Sequence, residues 1–81
     1  MGKKNRYELE IIKLGLLIKE LRMKESITQE HLSTLCEVDV RTIQRIEKGK
    51  QNITISLFFE LAKALNITPQ DLVTEIFTEN K

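Results

Sequence analysis

Between residues 41 and 50 four cations, Arg41, Arg45, Lys48 and Lys50, stand against a single anion, Glu47, with Gln44 among them. At helical spacing Arg41, Gln44 and Arg45 project from the outward side of one helix. Arg and Gln side chains can each make paired hydrogen bonds to base edges in the major groove of DNA, which is wide enough to admit an α-helix. Thr28 and Gln29, at an expected helix start, add backbone amides and a side-chain amide suited to phosphate. The plainer reading of such a cluster is a solvated helix face. Only its setting decides between the two.

Other chemistries are poorly represented. The sequence holds no nucleophile–base pair, phosphate-cradling glycine loop or carboxylate cluster with metal spacing, so no enzyme is expected and no catalytic residue is named. Cys36 and His31 are the only residues of their types. Neither an internal disulfide nor a four-ligand zinc site can then be built within one chain, and no metal or cofactor is expected. Cys36 lies at helical spacing from Leu32 and reads as a small apolar core residue. His31 reads as a surface residue in the first turn of its helix.

The elements that must position the basic cluster come from an 81-residue chain, enough for one domain over 1–81 with its core between residues 8 and 77. Such a domain buries only about 60–65% of the surface exposed by its unfolded chain. A deep catalytic cleft, or a second domain to house a small-molecule sensor, has no room. The net charge is +1, but its distribution is uneven. Eleven Lys and Arg face eight Asp and Glu in residues 1–50, against two facing four thereafter. No apolar run approaches the roughly 20 residues that span a bilayer, and the basic start lacks a signal-peptide core. A cytoplasmic protein without membrane contact is expected.

Five helices can be read along the chain. Leu9, Ile11, Ile12, Leu14, Leu17, Ile18, Leu21 and Met23 recur with helical period, predicting a first helix from Glu8 to about Glu25. Gly15 within it predicts a close approach by another element. Thr28 is a fitting N-cap for a second helix, Gln29 to Cys36, with Leu32, Leu35 and Cys36 on one side. A tight turn at Glu37-Val38 follows. Asp39 then caps a third helix, Val40 to Lys48, that Gly49 stops, with Ile43 and Ile46 inward. After a polar loop Thr54 caps a fourth helix, Ile55 to Leu65, striped by Leu57, Phe58, Leu61, Ala62 and Leu65. Asn66 can end it in left-handed backbone. Thr68-Pro69-Gln70-Asp71 is the start of a fifth helix that runs to about Phe77. Tyr7 and the basic start Lys3, Lys4 and Arg6 read as an unstructured end rather than an arm reaching DNA, and the last four residues as frayed.

The stretch 28–49 is the informative one. Two short helices joined by a tight turn, with Leu32 and Cys36 set against Ile43 and Ile46 and Val38 in the turn, satisfy what a near-perpendicular crossing requires. Here the chain resembles the phage-repressor (XRE) type of helix-turn-helix regulators, over roughly Leu14 to Leu72. The resemblance rests on Ile18-Lys-Glu-Leu-Arg22, Thr28-Gln29-Glu30, Leu32, Val38, Ile43-Gln-Arg-Ile-Glu47, Gly49-Lys50, Asn52, Leu61-Ala-Lys-Ala-Leu65 and Asp71-Leu72. It implies an all-α, lambda-repressor-like five-helix bundle whose second and third helices read double-stranded DNA.

Carried over by that resemblance, Val40, Arg41, Gln44 and Arg45 would lie toward the bases. Thr28, Gln29, Lys48, Lys50, Gln51 and Asn52 would touch the DNA backbone. Arg22 and Glu47 match a structural salt bridge between the first and third helices. The chain departs from the family pattern at Glu37, where glycine is usual, so a non-glycine residue is expected in left-handed backbone. It departs again at Ser33, usually alanine, and at Val40, whose best use is apolar contact with a thymine methyl.

The apolar set Leu72, Val73, Ile76 and Phe77 exceeds what a small bundle needs to close itself; part is expected to cover the core and part to meet the same surface of a second copy. Leu9, Ile11 and Ile12 form the competing surface. A homodimer on a pseudo-palindromic operator enlarges an interface that one reading helix leaves small. The expected function is sequence-specific transcriptional regulation, controlled by the protein's own concentration as in small restriction–modification controllers of this family. The alternatives are an antitoxin, or a protein-interaction module that has lost DNA binding; the retained cations at 41–50 weigh against the latter.

Overall fold

The fold follows from local signals that each close one helix and open the next. A computed structural model describes residues 7–78; the basic start and the last three residues lie outside the described span. Within it the elements are α1 (Glu8–Lys24), α2 (Gln29–Cys36), α3 (Val40–Glu47), α4 (Ile55–Ala64) and α5 (Pro69–Phe77). Each expected N-cap is made. The hydroxyls of Thr28, Thr54 and Thr68 accept from the amides of His31, Leu57 and Asp71 at 2.9, 3.1 and 3.0 Å. Asp39 accepts from the Arg41 amide at 3.0 Å. Such caps stabilise a helix start by about 1 kcal/mol each. The corners close in left-handed backbone at Ser26, Glu37, Gly49 and Asn66, with φ of 60°, 57°, 72° and 60°. Glu37 thus takes the conformation anticipated for it. The Val38 amide then reaches back to the Ser33 carbonyl at 3.0 Å, closing the helix-turn-helix corner.

Packing ties α1 to α3 and α5, α2 to α3 and α4, and α4 to α5. One core joins all five: Leu14 and Ile18 from α1, Leu32 and Cys36 from α2, Ile43 and Ile46 from α3, Leu61, Ala62 and Leu65 around α4, and Leu72 and Ile76 from α5. Gly15 marks the tightest crossing. A Cβ there would collide with the carbonyl oxygen of Ile46, so α1 and α3 meet almost backbone to backbone.

One expectation is corrected by this core, and another is resolved residue by residue. Leu35 is exposed, and Ser33 takes the inward position beside Leu32 and Cys36. Ser33 tolerates burial because its hydroxyl donates to the Glu30 carbonyl at 2.7 Å. The C-terminal apolar set also divides. Leu72 and Ile76, one turn apart, are buried in the core. Val73 and Phe77, each one residue further round the helix, are 42% and 57% exposed.

Candidate nucleic-acid interface

The proposed reading helix, α3, has two unlike sides. Ile43 and Ile46 are fully buried, whereas Arg41, Gln44, Arg45 and Lys48 are exposed and Val40 is half-buried. The sequence dictates this, because the apolar residues fall on one stripe and every cation falls off it.

What fixes α3 in place is ionic as well as apolar. Arg22 on α1 donates from Nε and Nη2 to the two carboxylate oxygens of Glu47 at 2.7 and 3.1 Å, a side-on bidentate pair. Its Nη1 donates to the Ile27 carbonyl at 2.9 Å. Gln29 Nε2 donates to the same carboxylate at 3.0 Å, so α1, α2 and α3 converge on Glu47. The hydrogen bond to Glu47 raises the Arg22 pKa above its ordinary value, against the opposing effect of burial. Among the described residues no buried side-chain nitrogen or oxygen lacks a partner. Arg22 is therefore occupied within the fold. Gln29 is partly so, since one amide N–H serves Glu47.

Arg45 lies differently from what its position on the helix predicts. Its Nε donates to Gln51 Oε1 at 3.0 Å and its Nη2 to the Lys50 carbonyl at 2.8 Å. The side chain runs toward the C-terminal end of α3 and clasps the following loop. That loop leaves the helix through Gly49, whose left-handed backbone packs against Ile12 on α1 closely enough that a Cβ would crowd it. Lys50 and Asn52 are exposed on the loop, and Gln51 is half-buried.

Lys19 is absent from the expected set. It joins Gln29, Gln44, Glu47 and Lys48 around a shallow depression of about 330 Å³ where α1, α2 and α3 meet. The signal was present, since Lys19 stands three residues before Arg22 and so on the same side of α1. At the base of α2, burial, with the Glu60 carboxylate adding to it, pushes the Cys36 thiol up to about 11. It behaves as packing, not as a reactive thiolate. Among the described residues no group of three or more His, Cys, Asp or Glu could hold a metal, and no helix is long and apolar enough to cross a membrane.

The sequence profile of the helix-turn-helix family matches residues 18–72. An uncharacterized HTH-type transcriptional regulator from Archaeoglobus fulgidus is 38% identical over 64 residues, covering 79% of this chain and 87% of the relative. The restriction–modification controller protein C.AhdI from Aeromonas hydrophila superimposes with a TM-score of 0.74 at 32% identity, over 78% of this chain and 96% of that one. A mutant of the controller C.Esp1396I, solved bound to its highest affinity operator site, superimposes with a TM-score of 0.72 at 27% identity, over 86% and 97% of the two chains. The profile takes in α2, α3 and the end of α1 that carries Arg22, and this chain belongs to the XRE-type helix-turn-helix family of DNA-binding transcriptional regulators.

Proposed function

We propose that this chain is a sequence-specific regulator of the restriction–modification controller type, binding a pseudo-palindromic operator as a homodimer in the cytoplasm. The observation that carries the reading is α3 itself: locked from behind through Glu47, it presents Arg41 and Gln44 to solvent. Arg41 and Gln44 read base edges, and Val40 meets a thymine methyl. Thr28, Gln29, Lys48, Lys50, Gln51 and Asn52 grip the sugar–phosphate backbone, which sets register without reading sequence. The solved operator complex of C.Esp1396I supports the same use of the fold here. Val73 and Phe77 are the dimer contacts left from the C-terminal set, because they alone in it remain exposed. The reading needs no enzyme chemistry, cofactor or small-molecule effector.

Selection of duplexes from a random pool at two salt concentrations tests this. The expected product is a pseudo-palindrome with half-sites about one helical turn apart. Sedimentation of the protein with Val73→Glu and Phe77→Glu should show monomers at concentrations where the parent is dimeric. Weak, salt-sensitive binding without an enriched motif would overturn the operator reading. A dimer that survives both substitutions would overturn the assigned surface.

A further inference from the structure

Arg45 sits on the outward side of α3 beside Arg41, where a base-reading role is the natural assumption. Its guanidinium is committed elsewhere. An arginine presents its most rigid donor pair along the edge shared by Nε and Nη2. Arg22 turns that edge to Glu47, and Arg45 turns the same edge to the loop, one bond to the Gln51 side chain and one to the Lys50 carbonyl. The two bonds reach different parts of the loop, so together they fix its backbone and orient Gln51. The Lys50 amide in turn donates to the Arg45 carbonyl at 2.9 Å, tying the loop to the helix from both directions. Beyond Gly49, Arg45 and this amide hold the chain that carries Lys50, Gln51 and Asn52.

We propose that Arg45 is a positioning residue: it acts on DNA through the loop 50–52, whose backbone-binding groups it holds in place, and does not read a base. This rests on the operator reading above. A base reader changes the ranking of sequences. A residue that orders phosphate-binding groups changes all affinities together, because every duplex presents the same phosphates.

The experiment compares the full chain with Arg45→Met and Arg45→Lys. Each is titrated with the selected operator, its single-base-pair variants and an unrelated duplex across a salt series. Amide hydrogen exchange is measured on the free proteins. Arg45→Met should bind every duplex more weakly by a common factor of roughly ten, with the slope of log affinity against log salt flatter by about 0.9 for each phosphate that the loop ceases to engage. Exchange at residues 50–53 should quicken without DNA while the amides of α1 and α2 stay protected. Arg45→Lys keeps the charge but cannot span both acceptors, and should behave like Arg45→Met.

Loss of discrimination at one base pair, with loop exchange unchanged, would overturn the proposal and make Arg45 a reader. Full rescue by lysine would overturn it too, by showing that the charge acts on phosphate directly. Failure of the parent protein to select any operator would sink the operator reading and the DNA role of Arg45 with it. Failure of the variants alone to behave as described sinks only the positioning role.

Discussion

Replacing Glu47 with alanine removes the acceptor on which three helices converge. Its side chain is 4% exposed and that of its partner Arg22 is 12% exposed. Three hydrogen bonds end on the carboxylate, two from Arg22 and one from Gln29. Removing one member of a buried pair costs about 3–5 kcal/mol, because the surviving charge stays desolvated. Arg22 keeps its bond to the Ile27 carbonyl and retains some exposure to water, which puts the expected loss at the lower end, about 3 kcal/mol. A domain of this size holds roughly 4–12 kcal/mol in total, and each kcal/mol moves the midpoint by about 4–8 °C. Glu47→Ala should therefore melt roughly 12–24 °C below the parent in calorimetry. Glu47→Gln keeps the shape and one acceptor and should fall between the two. The double replacement Arg22→Met with Glu47→Leu should regain much of the loss, since no unpaired charge remains. An unchanged melting temperature in Glu47→Ala, with DNA binding abolished, would refute the structural role and make Glu47 part of the reading surface.

Four further outcomes can be checked with similar preparations. Gly15→Ala drives a methyl into the Ile46 carbonyl and should cost about 1–3 kcal/mol in urea unfolding, since a backbone neighbour cannot swing aside. Arg41→Ala and Gln44→Ala should each lose about 1–3 kcal/mol on the operator and relax preference at single positions. Lys50→Ala should instead weaken all duplexes alike and flatten the salt slope by about one. The fourth concerns alkaline pH. The Cys36 thiol is raised from 9.0 to about 11 in the folded chain, so the unfolded chain loses its thiol proton first. The contribution of Cys36 is full below pH 9 and falls as pH rises from there through 11. Melting curves of the parent and Cys36→Ala should converge across that window, and parallel curves would show that the thiol is not buried as described.

The order of elements was readable because the signals that bound them are local. Thr28, Asp39, Thr54 and Thr68 each cap within three residues of themselves, and Gly49 and Asn66 supply left-handed stops on the spot. The two-sidedness of α3 was equally plain from the stripe of Ile43 and Ile46. What escaped depends on partners distant in the chain. Which of Leu72, Val73, Ile76 and Phe77 face inward is a matter of the phase of α5 against α1 and α4, and a nine-residue helix with four apolar residues leaves that phase open. Leu35 and Ser33 exchanged roles for the same reason, since a serine bonded to its own helix packs where a larger side chain is not required. The turn of Arg45 toward the loop, and the meeting of Lys19 with Gln29 and Lys48, arise only once α3 has docked. The exposure of Arg41, Gln44, Arg45 and Lys48 on α3 was legible in the sequence, the pairing of their side chains less so.

The left-handed corners at Ser26 and Glu37 bear on how such a chain can change over generations. An L side chain in that backbone costs roughly 1–2 kcal/mol, part of which glycine would return after its own larger entropy loss. Neither residue lies on the outward side of α3. Shifts of about 1–2 kcal/mol in folding alter the amount of a protein in a cell several-fold. Mutation at these corners can therefore raise or lower how much regulator accumulates while the outward side of α3 stays as it is. The amount of this protein and the make-up of its exposed helix are, in this fold, separately heritable.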